Sequence, residues 1–274
     1  MHRFSHLQRS IQLTFVMLAS AAVAAAQVGL GLAPMREDLK LSPGGQHSGL
    51  LVVTNDTGES VRVVGELLDF YIDSTTNPQF SRGYAQESAY SCRQWLSLNP
   101  MEIELEGHGH VAARYTVRAP QTATDRSYHC AIGFTTQPTA SQAKGTGLRA
   151  AVQVVAAIYV VIGQPPIDGS VKDLTLEYVP DPKAPGWKAT VVLSNAGLMH
   201  FRPVGDLDVL NEQGAVVESA HFLPLPVLPK RDQNFVFPLK LTAGPGTYTL
   251  RARVDLGGNE IQEATARVVA QKSK

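Results

Sequence analysis

Leu50-Leu51-Val52-Val53-Thr54-Asn55-Asp56-Thr57-Gly58 is an apolar run that ends in a dense turn signal. From Gln27 onward the chain repeats this style, with apolar residues at period two in short runs punctuated by Gly, Pro, Asn and Asp. Residues 61–70 alternate and end at the turn-rich Asp73-Ser74-Thr75-Thr76-Asn77-Pro78. Further strands are expected over 95–98, 102–105, 110–117, 128–135 and 150–162, with a polar loop over 139–147 before the last. No stretch reads as a long, capped amphipathic helix. Strands spaced about 8–12 residues apart between Gly/Pro turns favour a β-sandwich.

Two prolines cannot sit in a central strand, so Gly163-Gln164-Pro165-Pro166 marks a boundary. Beyond it, strands are expected over 171–178, 187–194, 206–211, 216–222, 234–241, 247–255 and 260–269. Asn195-Ala196-Gly197, Asn211-Glu212-Gln213-Gly214 and Gly244-Pro245-Gly246 supply explicit turns. Seven strands in this space match one immunoglobulin-like sandwich. The expected fold is all-β, with two tandem immunoglobulin-like β-sandwiches after a signal peptide. The domains are 1–26, 27–163 and 164–274.

The N-terminus reads as an address. His2, Arg3, His6 and Arg9 precede an apolar stretch from Ile11 to Val23 that ends in Ala24-Ala25-Ala26. Cleavage after Ala26 is favoured over an uncleaved anchor, because Gly29 and Gly31 weaken a helix. Export through the Sec pathway to the periplasm or cell envelope follows, with no membrane span after cleavage. The 274 residues carry 24 basic and 24 acidic side chains, so no basic field points to nucleic acid. The chain is too apolar and too weakly charged to be disordered.

Several stretches together resemble periplasmic pilus-assembly chaperones of the PapD type. They are an early strand with Pro34-Met35-Arg36, then Leu39-Lys40-Leu41-Ser42-Pro43-Gly44 and Gly49-Leu50-Leu51-Val52-Val53-Thr54-Asn55. Trp95-Leu96-Ser97-Leu98-Asn99-Pro100, Tyr115 to Pro120 and Tyr128 to Phe134 follow in order. Leu193 to Pro203, with Asn195, Gly197 and His200, resembles a strand end of the second domain more loosely. The resemblance implies a protein that lends its long final N-domain strand to a subunit lacking one. Main-chain hydrogen bonds then supply affinity, and alternate side chains fill a groove. Here Val152, Val154, Ala156, Ile158 and Val160 would share the binding face. Burial of both faces in the sandwich explains the same apolar run equally well.

The resemblance also implies two cations in the interdomain cleft that hold a subunit's terminal carboxylate. Arg36 stands where the first is expected, and a guanidinium can grip a carboxylate through two hydrogen bonds. A solvated strand-end arginine is the plain alternative. The second should be a lysine in the final strand, yet Val154 to Val161 contains no Lys or Arg. The chain is therefore read as a divergent member of that group.

Cys92 and Cys130 are an even pair in an exported chain, so a disulfide is chemically permitted. Such a loop closure stabilises by about 3–4 kcal/mol. Tyr128 precedes Cys130 by two residues, as in immunoglobulin domains, but Cys92 lies only three before Trp95. The bridge would join the lead-in of the Trp95 strand to the Tyr128 strand. A catalytic thiol would need a matched base, and His129 points to the other side of the strand.

No phosphate loop, zinc-protease, EF-hand or nucleophile-elbow motif is present. His108 and His110 are two imidazoles, short of a metal site, and Asp206 and Asp208 lack an acid–base context. Asn55-Asp56-Thr57 has the glycosylation form. No cofactor, metal or enzymatic activity is expected. The expected function is chaperone-like binding of a secreted or pilus subunit by donor-strand addition, with an outer-membrane usher as a candidate second partner. A structural or adhesive envelope protein built from tandem sandwiches is the alternative.

Overall fold

The computed structural model describes residues 29–73, 76–84, 89–137, 151–180, 183, 186–241, 244–258 and 260–271. The segment read as a signal peptide, and the loop over 139–147, lie outside them. Among the described residues the regular structure is strands plus short 3-10 turns, one of them Arg93–Trp95. The chain is all-β.

Ten strands make the first sandwich: β1 (Leu30–Ala33), β2 (Arg36–Leu41), β3 (Gln46–Asn55), β4 (Val61–Ile72), β5 (Pro78–Ser81), β6 (Leu96–Asn99), β7 (Glu102–Leu105), β8 (His110–Arg118), β9 (Arg126–Gln137) and β10 (Gln153–Ile162). One sheet runs β1-β3-β8-β6, and the other runs β2-β10-β9-β4-β5 with β7 also against β4. The early strand around Pro34 proves to be two strands in opposite sheets. Proline has no N–H to continue a ladder, and the chain changes sheets between Ala33 and Arg36. The short strand β5 was not expected; it starts at the last residue of the expected Asp73–Pro78 loop and pairs with the end of β4.

The second sandwich packs β11 (Gly169–Val179), β12 (Gly186–Asn195) and β15 (Asp232–Leu239) against β13 (Val204–Leu210), β14 (Val216–His221), β16 (Gly246–Asp255) and β17 (Ile261–Ala270). Their orders are β11-β12-β15 and β14-β13-β16-β17. Alternation decides which face is buried. In β12, Trp187, Ala189, Val191 and Leu193 face the core while Lys188, Thr190 and Val192 stay half-exposed.

Each sandwich has its own core. The first gathers Leu51, Val53, Leu98, Tyr115, Ile132 and Phe134; the second gathers Trp187, Val191, Leu207, Phe237 and Leu250. The Cys92–Cys130 disulfide lies wholly inside the first core, with Cα atoms 5.2 Å apart. It links the residue that starts the Arg93–Trp95 turn to β9, and no described cysteine is free for catalysis. Trp95 stacks on Tyr128 with ring centroids 4.4 Å apart, and the Tyr128 hydroxyl accepts from the Thr124 N–H at 3.1 Å. Tyr248 makes the equivalent corner in the second sandwich by donating to the Gly244 carbonyl at 2.7 Å.

The same asparagine device closes β3 in the first sandwich and β12 in the second. Asn55 is buried; its side-chain amide donates to the Glu59 and Glu106 carbonyls, and its Oδ1 accepts the Thr57 N–H. Asn195 donates to the Met199 and Val227 carbonyls and accepts the Gly197 N–H. A buried asparagine that satisfies turn backbone in this way is a structural pin. The glycosylation form at Asn55 is thereby explained, since its amide nitrogen is already used.

Candidate functional site

The long strand β10 is where the resemblance directs attention. It pairs antiparallel with β9 along its whole length, from Gln153↔Thr135 to Ile162↔Arg126. Its other side pairs parallel with β2, but only from Ala157↔Arg36 onward. Among the described residues, Gln153–Ala156 therefore has one neighbour instead of two. Thr136 N–H donates to the Val152 carbonyl at 2.9 Å, and Ala157 N–H donates to the Met35 carbonyl at 3.0 Å. Strand alternation then turns the N–H and C=O groups of Gln153 and Val155 away from β9. They form a short open edge about 13 Å long.

The side chains of β10 divide differently from expectation. Ala156, Ile158 and Val160 are fully buried in the first core, so they are not an accessible binding stripe. The reason is that this face of β10 looks into the sandwich. Val152 and Val154 are half-buried, and Val154 packs on the rim of the same core. On the opposite face, Val155, Ala157 and Tyr159 pack with Leu68, Phe70, Ala131 and Leu228. Leu228 comes from the second sandwich, so the apolar run in β10 reflects burial on both faces toward its end.

Polar groups surround that interdomain contact. Arg36 and Asp38 sit two residues apart on β2 and therefore share a face. Arg36 Nε lies 3.0 Å from Asp38 Oδ2. The turn after Asn195 sends His200 and Arg202 to the same carboxylate: Arg202 Nη1 is 3.2 Å from Oδ1, and His200 Nε2 is 3.8 Å away. The Arg202 guanidinium lies 4.5 Å from the centroid of the Tyr159 ring, and the His200 ring lies 4.8 Å from it. Ser127 ties the backbones, donating its N–H to the Leu198 carbonyl and accepting the His200 N–H through Oγ, each at 2.8 Å. Gln233 donates to the Asp73 carbonyl at 3.2 Å. Arg36 is thus half-exposed at the cleft but already paired.

The neighbouring His200 ring, then the Arg202 and Arg36 charges, hold the Asp38 carboxyl below its usual range against the opposing effect of burial. Burial pushes Tyr159 up to about 12, moderated by Arg202. Burial also lowers His200, opposed by the nearby Asp38 carboxylate and helped by Arg202. The unfolded chain takes up a proton near pH 6.5 that folded His200 refuses, so stability is full above that value and falls as pH drops below it. Stability is expected to decline from pH 7.5 to pH 5.5, by at most about 1.4 kcal/mol per unit below 6.5. The His200→Gln variant should flatten that slope in urea titrations at the two pH values. An unchanged slope would assign the effect elsewhere.

Arg202 was not singled out by the sequence. It carries no local motif, and it meets Asp38 across 164 positions. It nevertheless brings a cation to the face of Tyr159, on the strand that lacks its own. Elsewhere, His110 is exposed, and no group of three or more His, Cys, Asp or Glu among the described residues could hold a metal ion. Asp208 pairs with Arg251 at 2.6 Å and Ser219 at 2.8 Å on the outer sheet face, and Asp206 pairs with His221. No helix among the described residues is long and apolar enough to cross a membrane.

No family model and no curated protein matches the chain. Among solved structures it is similar to the class 5 fimbriae chaperone CfaA, with a TM-score of 0.44 and 14% identity over 89% of this chain and 100% of that one. It is similar to a chain of the Salmonella enterica SafA pilin–SafB chaperone complex, with a TM-score of 0.44 and 14% identity over 89% and 99%. The E. coli chaperone DraB gives 0.41 and 15% over 89% and 98%. Fimbrial chaperones thus stand among the solved structures to which this two-sandwich chain is similar.

Proposed function

We propose that this protein is a periplasmic chaperone-like binder that captures a secreted or pilus subunit by strand addition along the open half of β10. One observation carries the reading: Gln153 and Val155 turn backbone groups outward where β2 has not yet begun. An extended segment added there would gain main-chain hydrogen bonds, and the half-buried Val152 and Val154 would flank it. The two sandwiches act as separate domains, 27–163 and 164–274, after Sec-directed export and removal of residues 1–26. An outer-membrane usher is the candidate second partner.

The test is capture from envelope extract, with retained proteins identified by mass spectrometry. Val155→Pro removes an N–H that faces away from β9 and costs no bond to that neighbour. The wild type is expected to retain a small secreted β-rich subunit, and folded Val155→Pro to lose at least 90% of it. Retention by both proteins would sink strand addition. Retention by neither would favour the structural or adhesive reading.

A further inference from the structure

Two arginines at the interdomain contact, one from each sandwich, are turned toward one internal carboxylate. Asp38 faces Arg36 from its own strand and Arg202 and His200 from the second sandwich. Arg202 uses only Nη1 in this contact; its Nε and Nη2 are buried and meet no acceptor in hydrogen-bond geometry. That pair of N–H groups is the side of a guanidinium that matches a carboxylate bidentately. The cleft thus has the donors of a carboxylate site, while a resident carboxylate cancels much of its positive field.

We propose that Asp38 is an autoinhibitory carboxylate: it occupies the Arg36–Arg202 cluster and closes it to carboxylates from outside. Resting on the strand-addition reading, this means that capture relies on the β10 edge and not on anchoring a client's chain end. Replacing one carboxylate by another gains little while the resident one is tethered two residues from Arg36. Asp38 is about half exposed, so its exchange for a neutral isostere leaves no buried void.

The test needs no client and can fail separately from strand addition. Sodium acetate is titrated into wild type, Asp38→Asn and Asp38→Asn/Arg202→Gln, with sodium chloride as the control. The readout is the NMR shift of the Arg36 and Arg202 Nε–H resonances. Asp38→Asn is expected to bind acetate at least tenfold more tightly than wild type, and the double variant to lose the gain. Asp38→Ser serves as a second neutral variant, and Asp38→Glu should restore exclusion. Equal acetate affinity in wild type and Asp38→Asn would overturn the proposal. So would Arg resonances that stay unmoved in both neutral variants.

Discussion

Removing the cross-link by Cys92→Ala/Cys130→Ala is expected to destabilise the first sandwich by about 4 kcal/mol. The bridge closes a loop with a sequence separation of 38, and chain-entropy bookkeeping assigns about that much to closing it in the unfolded state. Against a typical domain stability of about 5–15 kcal/mol, the loss is large. The two tryptophans make it measurable by sandwich, because Trp95 lies in the first and Trp187 in the second. In urea unfolding followed by fluorescence, a Trp187→Phe background reports the first sandwich, and its midpoint should fall steeply. A Trp95→Phe background reports the second, whose midpoint should barely move. A shift below about 1 kcal/mol in the first would mean that its unfolded chain is constrained by something other than the bridge.

Ile158→Ala should cost about 2–5 kcal/mol, while Val154→Ala on the same face should cost less than about 1.5 kcal/mol. Ile158 is fully buried between β9 and β2, so truncation leaves a cavity that a two-neighbour strand cannot close. Val154 lies before β2 begins and is half-open to solvent. Chemical denaturation of the two variants under one set of conditions gives the contrast. Equal losses would show that the outer half of β10 is core as well, and would remove the open edge on which strand addition depends.

Much of the architecture was legible before any coordinates. Expected strands over 187–194 and 247–255 match Gly186–Asn195 and Gly246–Asp255 to within a residue, because period-two alternation is a local property of the chain. Cys92 and Cys130 could be paired because the chain has just two cysteines, and the bridge is present. The asparagine turns were visible as turns, though not that Asn55 and Asn195 both pin buried backbone. β5 was missed: a four-residue strand that starts on a proline carries too little alternation to stand out from a loop.

By itself, the sequence determined the all-β class, the spacing of the strands and the bridge, since each follows from neighbours along the chain or from a two-member pairing. The tertiary structure alone decided which face of β10 is core, because alternation marks two faces without saying what covers either. It also decided that the open edge stops at Ala156, which depends on where β2 arrives from more than a hundred residues away. The contact of Asp38 with Arg202 spans 164 positions and comes from two sandwiches meeting, and no local pattern encodes a meeting of surfaces.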